Sequence, residues 1–98
     1  MNSKIPTISS VQKALKDSRD SLGKETRPYH YVNEIRLIRY AMTGSSKTHI
    51  DFVSLSREES HVLRRVICLN RRLIKLHVDY KQRREACRQL ALKLQSKT

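Results

Sequence analysis

Apolar positions recur at intervals of three and four along nearly the whole chain, the spacing of a helix face and not of a strand. Val11, Leu15 and Leu22 share one such face, with Ser18 between them and Ala14 beside it. The spacing predicts a first helix over 9–23, with Ser9 or Ser10 as N-cap and Gly23 as the stop, preceded by a flexible N-terminus over 1–8. A polar link through Arg27, Pro28 and Tyr29 follows. Tyr31, Ile35, Ile38 and Met42 then mark a second helix over 30–43, closed by Gly44. Its other face offers Arg36 and Arg39, while Glu34 is expected in solvent or in a surface pair of little worth.

The segment 44–55 combines loop residues with apolar weight at Ile50, Phe52, Val53 and Leu55, so it reads as a loop or a docked segment. Ser56-Arg57-Glu58-Glu59 has the form of a capping box, in which the Ser56 hydroxyl accepts from the Glu59 amide and the Glu59 side chain reaches back to the Ser56 amide. A helix over 57–95 is expected from there. Its seam runs Val62, Val66, Leu69, Leu73, Leu76, Tyr80, Arg83, Cys87, Leu90, Leu94, and only Arg83 breaks it. Leu63, Ile67 and Ile74 widen the first half of this stripe. At about 1.5 Å per residue such a rod exceeds about 50 Å, more than the two earlier helices can cover, so its tail is expected to project or bend and to need a partner. The expected fold is all-α: a single domain over 1–98, built as a three-helix antiparallel bundle with a long, basic C-terminal helix.

Composition sharpens this picture. A chain of 98 residues buries a thin core, and only Gly23, Gly44, Pro6 and Pro28 interrupt it. Lysine and arginine number 21 against 9 acidic residues, a formal charge of +12. Self-repulsion of that size disfavours a compact state unless something anionic neutralises part of it. The main concentration is Arg64, Arg65, Arg71, Arg72, Lys75, Lys81, Arg83, Arg84 and Arg88, opposed within the same stretch only by Glu58, Glu59, Asp79 and Glu85. Arginine outnumbers lysine there, and its planar fork suits carboxylate or phosphate. The candidate partner-binding residues are therefore Arg36, Arg39, Arg64, Arg71, Arg72, Lys75, Arg83 and Arg84.

Other chemistries find less support. His30, His49, His61 and His77 share no ligand spacing with Cys68 and Cys87, and no Gly-rich loop is present, so no metal, no cofactor and no catalytic role are expected. Both cysteines are expected as reduced small hydrophobes, and His61 and His77 as core histidines on or beside the seam. No apolar run approaches the roughly 18 residues of a membrane span, and no secretory signal is evident. Asp17 and Asp20 interrupt the acid-poor pattern of a mitochondrial presequence, which leaves targeting open. A basic-zipper reading fails because basic region and seam overlap. A helix-turn-helix reading fails because the link before the last helix is too long. A nucleic-acid binder of another kind would lack a stacking platform, since none of Tyr29, Tyr31, Tyr40 and Tyr80 interleaves with the arginine cluster as such a platform would.

The order of features carries a resemblance. A short amphipathic helix, Arg27-Pro28-Tyr29, a second helix, Val66-Ile67-Cys68-Leu69 leading through Arg71 and Lys75 to Tyr80, and a Leu90-Ala91-Leu92-Lys93-Leu94 ending follow one another. From about Val11 to Leu94 the chain resembles the mitochondrial ATP synthase assembly factors of the LYR-motif superfamily. That resemblance implies a three-helix antiparallel bundle in the mitochondrial matrix that supports the chaperone of the ATP synthase alpha subunit without catalysing a reaction. Many members of the superfamily hold acyl carrier protein through a Leu-Tyr-Arg triplet near the start of the first helix. Here the corresponding slot reads Ala14-Leu15-Lys16, and the near match Leu37-Ile38-Arg39 lies in the second helix, so carrier binding lacks its usual support. A permanent small subunit of a mitochondrial complex is a further alternative.

Overall fold

The computed structural model describes residues 8–96, which form four helices and no strand: α1 (Ile8–Ser21), α2 (Pro28–Thr43), α3 (Arg57–Lys75) and α4 (Tyr80–Gln95). The expected flexible stretch 1–8 lies, apart from the first residue of α1, outside the described residues. Ser9 and Ser10 are already inside α1, so neither caps it. The α2 helix starts earlier than expected because Pro28, whose fixed φ and missing N–H suit the first helical position, opens it. The Arg27 amide donates to Nδ1 of His30 at 2.9 Å, taking over the role of a capping side chain. Ser56 and Glu59 form the expected capping box at the start of α3, with bonds of 3.1 and 2.8 Å.

The long C-terminal rod is not one helix. It stops at Leu76 and restarts at Tyr80, and the two halves fold against each other. The His77 amide reaches the Ile74 carbonyl at 2.9 Å and the Val78 amide reaches the Leu73 carbonyl at 3.0 Å, the paired bonds of a Schellman ending. His77 holds the left-handed position with φ of 61°, where glycine is the usual occupant. Asp79 then caps α4 by accepting from the Gln82 amide at 2.9 Å. The tail therefore needs no external partner to cover it, because α2 and α3 supply the cover.

Cross-helix contacts give the chain directions. Asn70 meets Arg83 and Val66 meets Cys87, so α3 and α4 run antiparallel. Asn33 meets Tyr80 and Met42 meets Gln95, so α2 runs with α4. Ser10 meets Arg71 and Ser18 meets His77, so α1 runs with α3. The core they enclose contains Val11, Ala14, Leu15, Leu37, Ile38, Ala41, Val62, Val66, Ile67, Ile74, Cys87 and Ala91. In α2 the buried face is Glu34, Leu37, Ile38 and Ala41, rotated from the expected stripe of Tyr31, Ile35, Ile38 and Met42. The rotation follows from Glu34, a charged residue inside the core and not in solvent. Between α2 and α3, Ile50 packs against the core while Phe52 and Val53 stay exposed, Val53 at 94 %. The segment is thus docked through Ile50 and not through Phe52 or Val53. No helix among the described residues is long and apolar enough to cross a membrane.

Candidate binding surface

On α3, residues 57, 61, 65, 68, 72 and 75 fall in one row, and that row lies opposite the buried positions Val66, Asn70 and Ile74. Packing α3 against α1 and α4 therefore forces this row outward. Arg57, His61, Arg65, Arg72 and Lys75 are all exposed, with half-buried Cys68 at the centre and exposed Arg64 alongside. Among the described residues, no carboxylate lies within ion-pair distance of Arg57, Arg64, Arg65, Arg72 or Lys75. Of the acidic groups on α1 and in the first turn of α3, exposed Glu58 pairs with none of these cations, and the others are engaged elsewhere. Asp17 and Asp20 pair with Lys13 and Lys16 of their own helix, at 3.1 and 2.7 Å. Glu59 is held in the capping box.

No family model, curated protein or solved structure matches this chain.

The eight sequence candidates do not share one face. Arg64, Arg72 and Lys75 belong to the α3 row, whereas Arg71 turns aside, half-buried, and its Nη1 reaches the Ser10 hydroxyl at 3.4 Å. Arg83 is no contact residue at all. It is 5 % exposed, and its Nη1 and Nη2 donate to the two carboxylate oxygens of Glu34 at 2.7 and 3.0 Å. Asn70 completes the set, accepting from Arg83 at 2.8 Å and donating to Glu34 at 2.9 Å, while Nε of Arg83 donates to the Val78 carbonyl at 3.0 Å. The break at Arg83 in the apolar seam is thus a buried ion pair tying α2, α3 and α4 together. Arg84 lies over the Tyr40 ring at 3.8 Å and is only partly available. Arg36 and Arg39, with Ser46 and Lys47, line a separate open recess of about 330 Å³ between α2 and the segment after it.

Several residues outside the eight candidates also shape these surfaces. Arg57 and Arg65 complete the outward row, and their helical spacing was the available signal. Arg88 donates to the Ala41 carbonyl at 3.0 Å and so covers the end of α2. Tyr40, outside the α3–α4 arginine cluster along the sequence, packs against Arg84 and Arg88 in space, and Tyr80 packs against Arg83. The arginines occupy these rings, so they form no open stacking platform.

His61 and His77 are exposed, not core histidines, because His61 lies on the outward row and His77 lies in the elbow, where its Nδ1 is 2.8 Å from the Ser18 hydroxyl. Burial, with Arg19 nearby, lowers the pKa of His30 below its ordinary value. Both cysteines are free, and burial pushes the Cys87 thiol up to about 12. Among the described residues no cluster of His, Cys, Asp and Glu is placed to hold a metal ion. A second recess, of about 310 Å³, lies at the elbow between the end of α1, the start of α2 and the α3–α4 turn; Leu15, Leu22, Ile74 and Val78 line it together with Arg19 and His77.

Proposed function

We propose that this chain is a non-catalytic binding protein that lays the outward row of α3 against an acidic protein surface. The observation that carries the reading is the set Arg64, Arg65, Arg72 and Lys75, exposed on a helix and unmatched by any described carboxylate of the chain. A helix fixes the spacing of these groups at about 5.4 Å per turn, so less backbone freedom is lost on docking than a loop would lose. Arginine forks bind carboxylates in pairs, and the net charge of +12 would speed and orient the encounter.

The resemblance to the LYR-motif assembly factors of ATP synthase gives this reading its specific form: a mitochondrial matrix protein whose partner is the alpha-subunit chaperone during assembly of the catalytic head. The acyl carrier protein alternative is weaker, because Ala14 and Leu15 are buried in the core and Lys16 is paired with Asp20. Nucleic acid is disfavoured by the covered Tyr40 and Tyr80 rings. Gel filtration of the full chain mixed separately with purified alpha-subunit chaperone, acyl carrier protein and a single-stranded RNA tests the choice. Co-elution with the chaperone is expected. Co-elution with carrier protein or RNA alone contradicts it.

A further inference from the structure

The recess beside α2 differs in kind from the α3 row. Arg36 and Arg39 stand about one turn apart in the C-terminal half of α2. Gly44, at φ of 84°, turns the chain so that Ser46 and Lys47 close the other wall of the recess. His49, further along the same segment, lies 3.1 Å from Nη2 of Arg39. Two arginines, a lysine and a serine line one concavity, and no carboxylate is among the residues that line it.

These cations are not there to cap α2. Four carbonyls near its end are already taken: Arg39 by the Thr43 hydroxyl, Tyr40 by the Gly44 amide, Ala41 by Arg88 and Met42 by Gln95. Nor does an acidic group of the described residues pair with Arg36, Arg39 or Lys47. Like charges drawn into a shared recess repel one another, and a bound anion rich in acceptor oxygens relieves that repulsion. At about 330 Å³ the recess lies at the small end of ligand sites, and no aromatic or aliphatic side chain lines it. A ligand would therefore be recognised through its charged oxygens and not through a ring.

We propose that Arg36, Arg39, Ser46 and Lys47 form a binding site for a short phosphate chain of the di- or triphosphate kind. A single carboxylate offers too few acceptors for three separate cationic groups and a hydroxyl, whereas a phosphate chain spreads its oxygens along the recess and matches arginine forks bidentately. The chain could arrive as free polyphosphate or as the phosphate tail of a nucleotide. The site is independent of the α3 row, and neither reading needs the other.

The test is a titration of the full-length, 15N-labelled protein at physiological salt with sodium tripolyphosphate, orthophosphate, citrate and ATP. Saturable shifts centred on Arg36, Arg39, Ser46 and Lys47 are expected, with tripolyphosphate at least about tenfold tighter than orthophosphate or citrate. ATP binding as tightly as tripolyphosphate identifies the nucleotide tail as a sufficient source; ATP binding much more weakly points to free polyphosphate; both outcomes support the site. R39Q should weaken tripolyphosphate about tenfold or more, K47Q in the exposed segment should weaken it without touching the fold, and R72Q on α3 should leave it unchanged. Citrate binding as well as tripolyphosphate, or equal losses in R39Q and R72Q, would overturn the proposal. Since R39Q should leave docking through α3 intact, failure of one reading is distinguishable from failure of the other.

Discussion

Both carboxylate oxygens of Glu34 accept from Arg83, at 2.7 and 3.0 Å, at a depth where neither residue has meaningful access to water. Each charge was costly to desolvate, and each is tolerable only because the other, with Asn70, completes its bonds. Removing one partner strands the other. Glu34→Gln or Arg83→Met should each destabilise the fold by about 3–5 kcal/mol in urea unfolding. The combined replacement Glu34→Leu, Asn70→Leu and Arg83→Met should cost far less than the sum of the single changes. Additive losses would contradict a coupled network.

The end of α2 supplies a second prediction. A Cβ at position 44 would lie 3.0 Å from Nη2 of Arg88, and the backbone there is left-handed. Gly44→Ala should therefore cost about 1–2 kcal/mol from backbone strain alone, and more if Arg88 is displaced from the Ala41 carbonyl. Thermal unfolding of Gly44→Ala, Arg88→Met and the double variant checks this. Losses smaller in the double variant than the sum of the singles are expected, because both act on one contact.

His30 makes stability depend on pH. Its folded-state pKa lies below the ordinary 6.5, chiefly through burial. As pH falls below that value, the unfolded chain takes up a proton that the folded chain resists. The unfolded state then binds more protons, and stability declines until the folded pKa is reached. Above the ordinary value the contribution is complete. Chemical denaturation from pH 8 to pH 5 should show this decline, and His30→Asn should flatten it; identical slopes in both proteins would contradict the assignment.

Thiol reactivity gives a fourth check. Cys87 is fully buried with its thiol pKa raised to about 12, whereas Cys68 is half-buried on the outward row. Iodoacetamide at pH 8 should modify Cys68 in the native protein and leave Cys87 untouched until denaturant is added. Peptide mass mapping reads the outcome, and rapid native labelling of Cys87 would place the α3–α4 packing in error.

Much of the fold was legible in sequence because helices announce themselves by spacing. The first two helices, the Ser56 capping box and the core positions Val62, Val66 and Cys87 all follow from it. The elbow was missed because its stop is His77 and not glycine, so nothing at that point marks a left-handed residue. Its restart was readable: Asp79 and Gln82 repeat the three-residue offset of Ser56 and Glu59. The buried Glu34 was missed because hydrophobic periodicity treats a charge as a surface residue, and its partner lies 49 residues away. The same blindness placed Arg83 among the contact residues. The α3 row, by contrast, is local in sequence and needs only the helical period to be seen.

That row bears the central claim, and its charge can be reversed without touching the core. Affinity of the chain for its proposed partner, purified alpha-subunit chaperone, measured by calorimetry over a salt series, should fall at least about tenfold for Arg65→Glu combined with Arg72→Glu, and the variant should lose most of its salt dependence. An affinity and salt dependence equal to those of the unaltered chain, with the fold intact by circular dichroism, would contradict docking through α3.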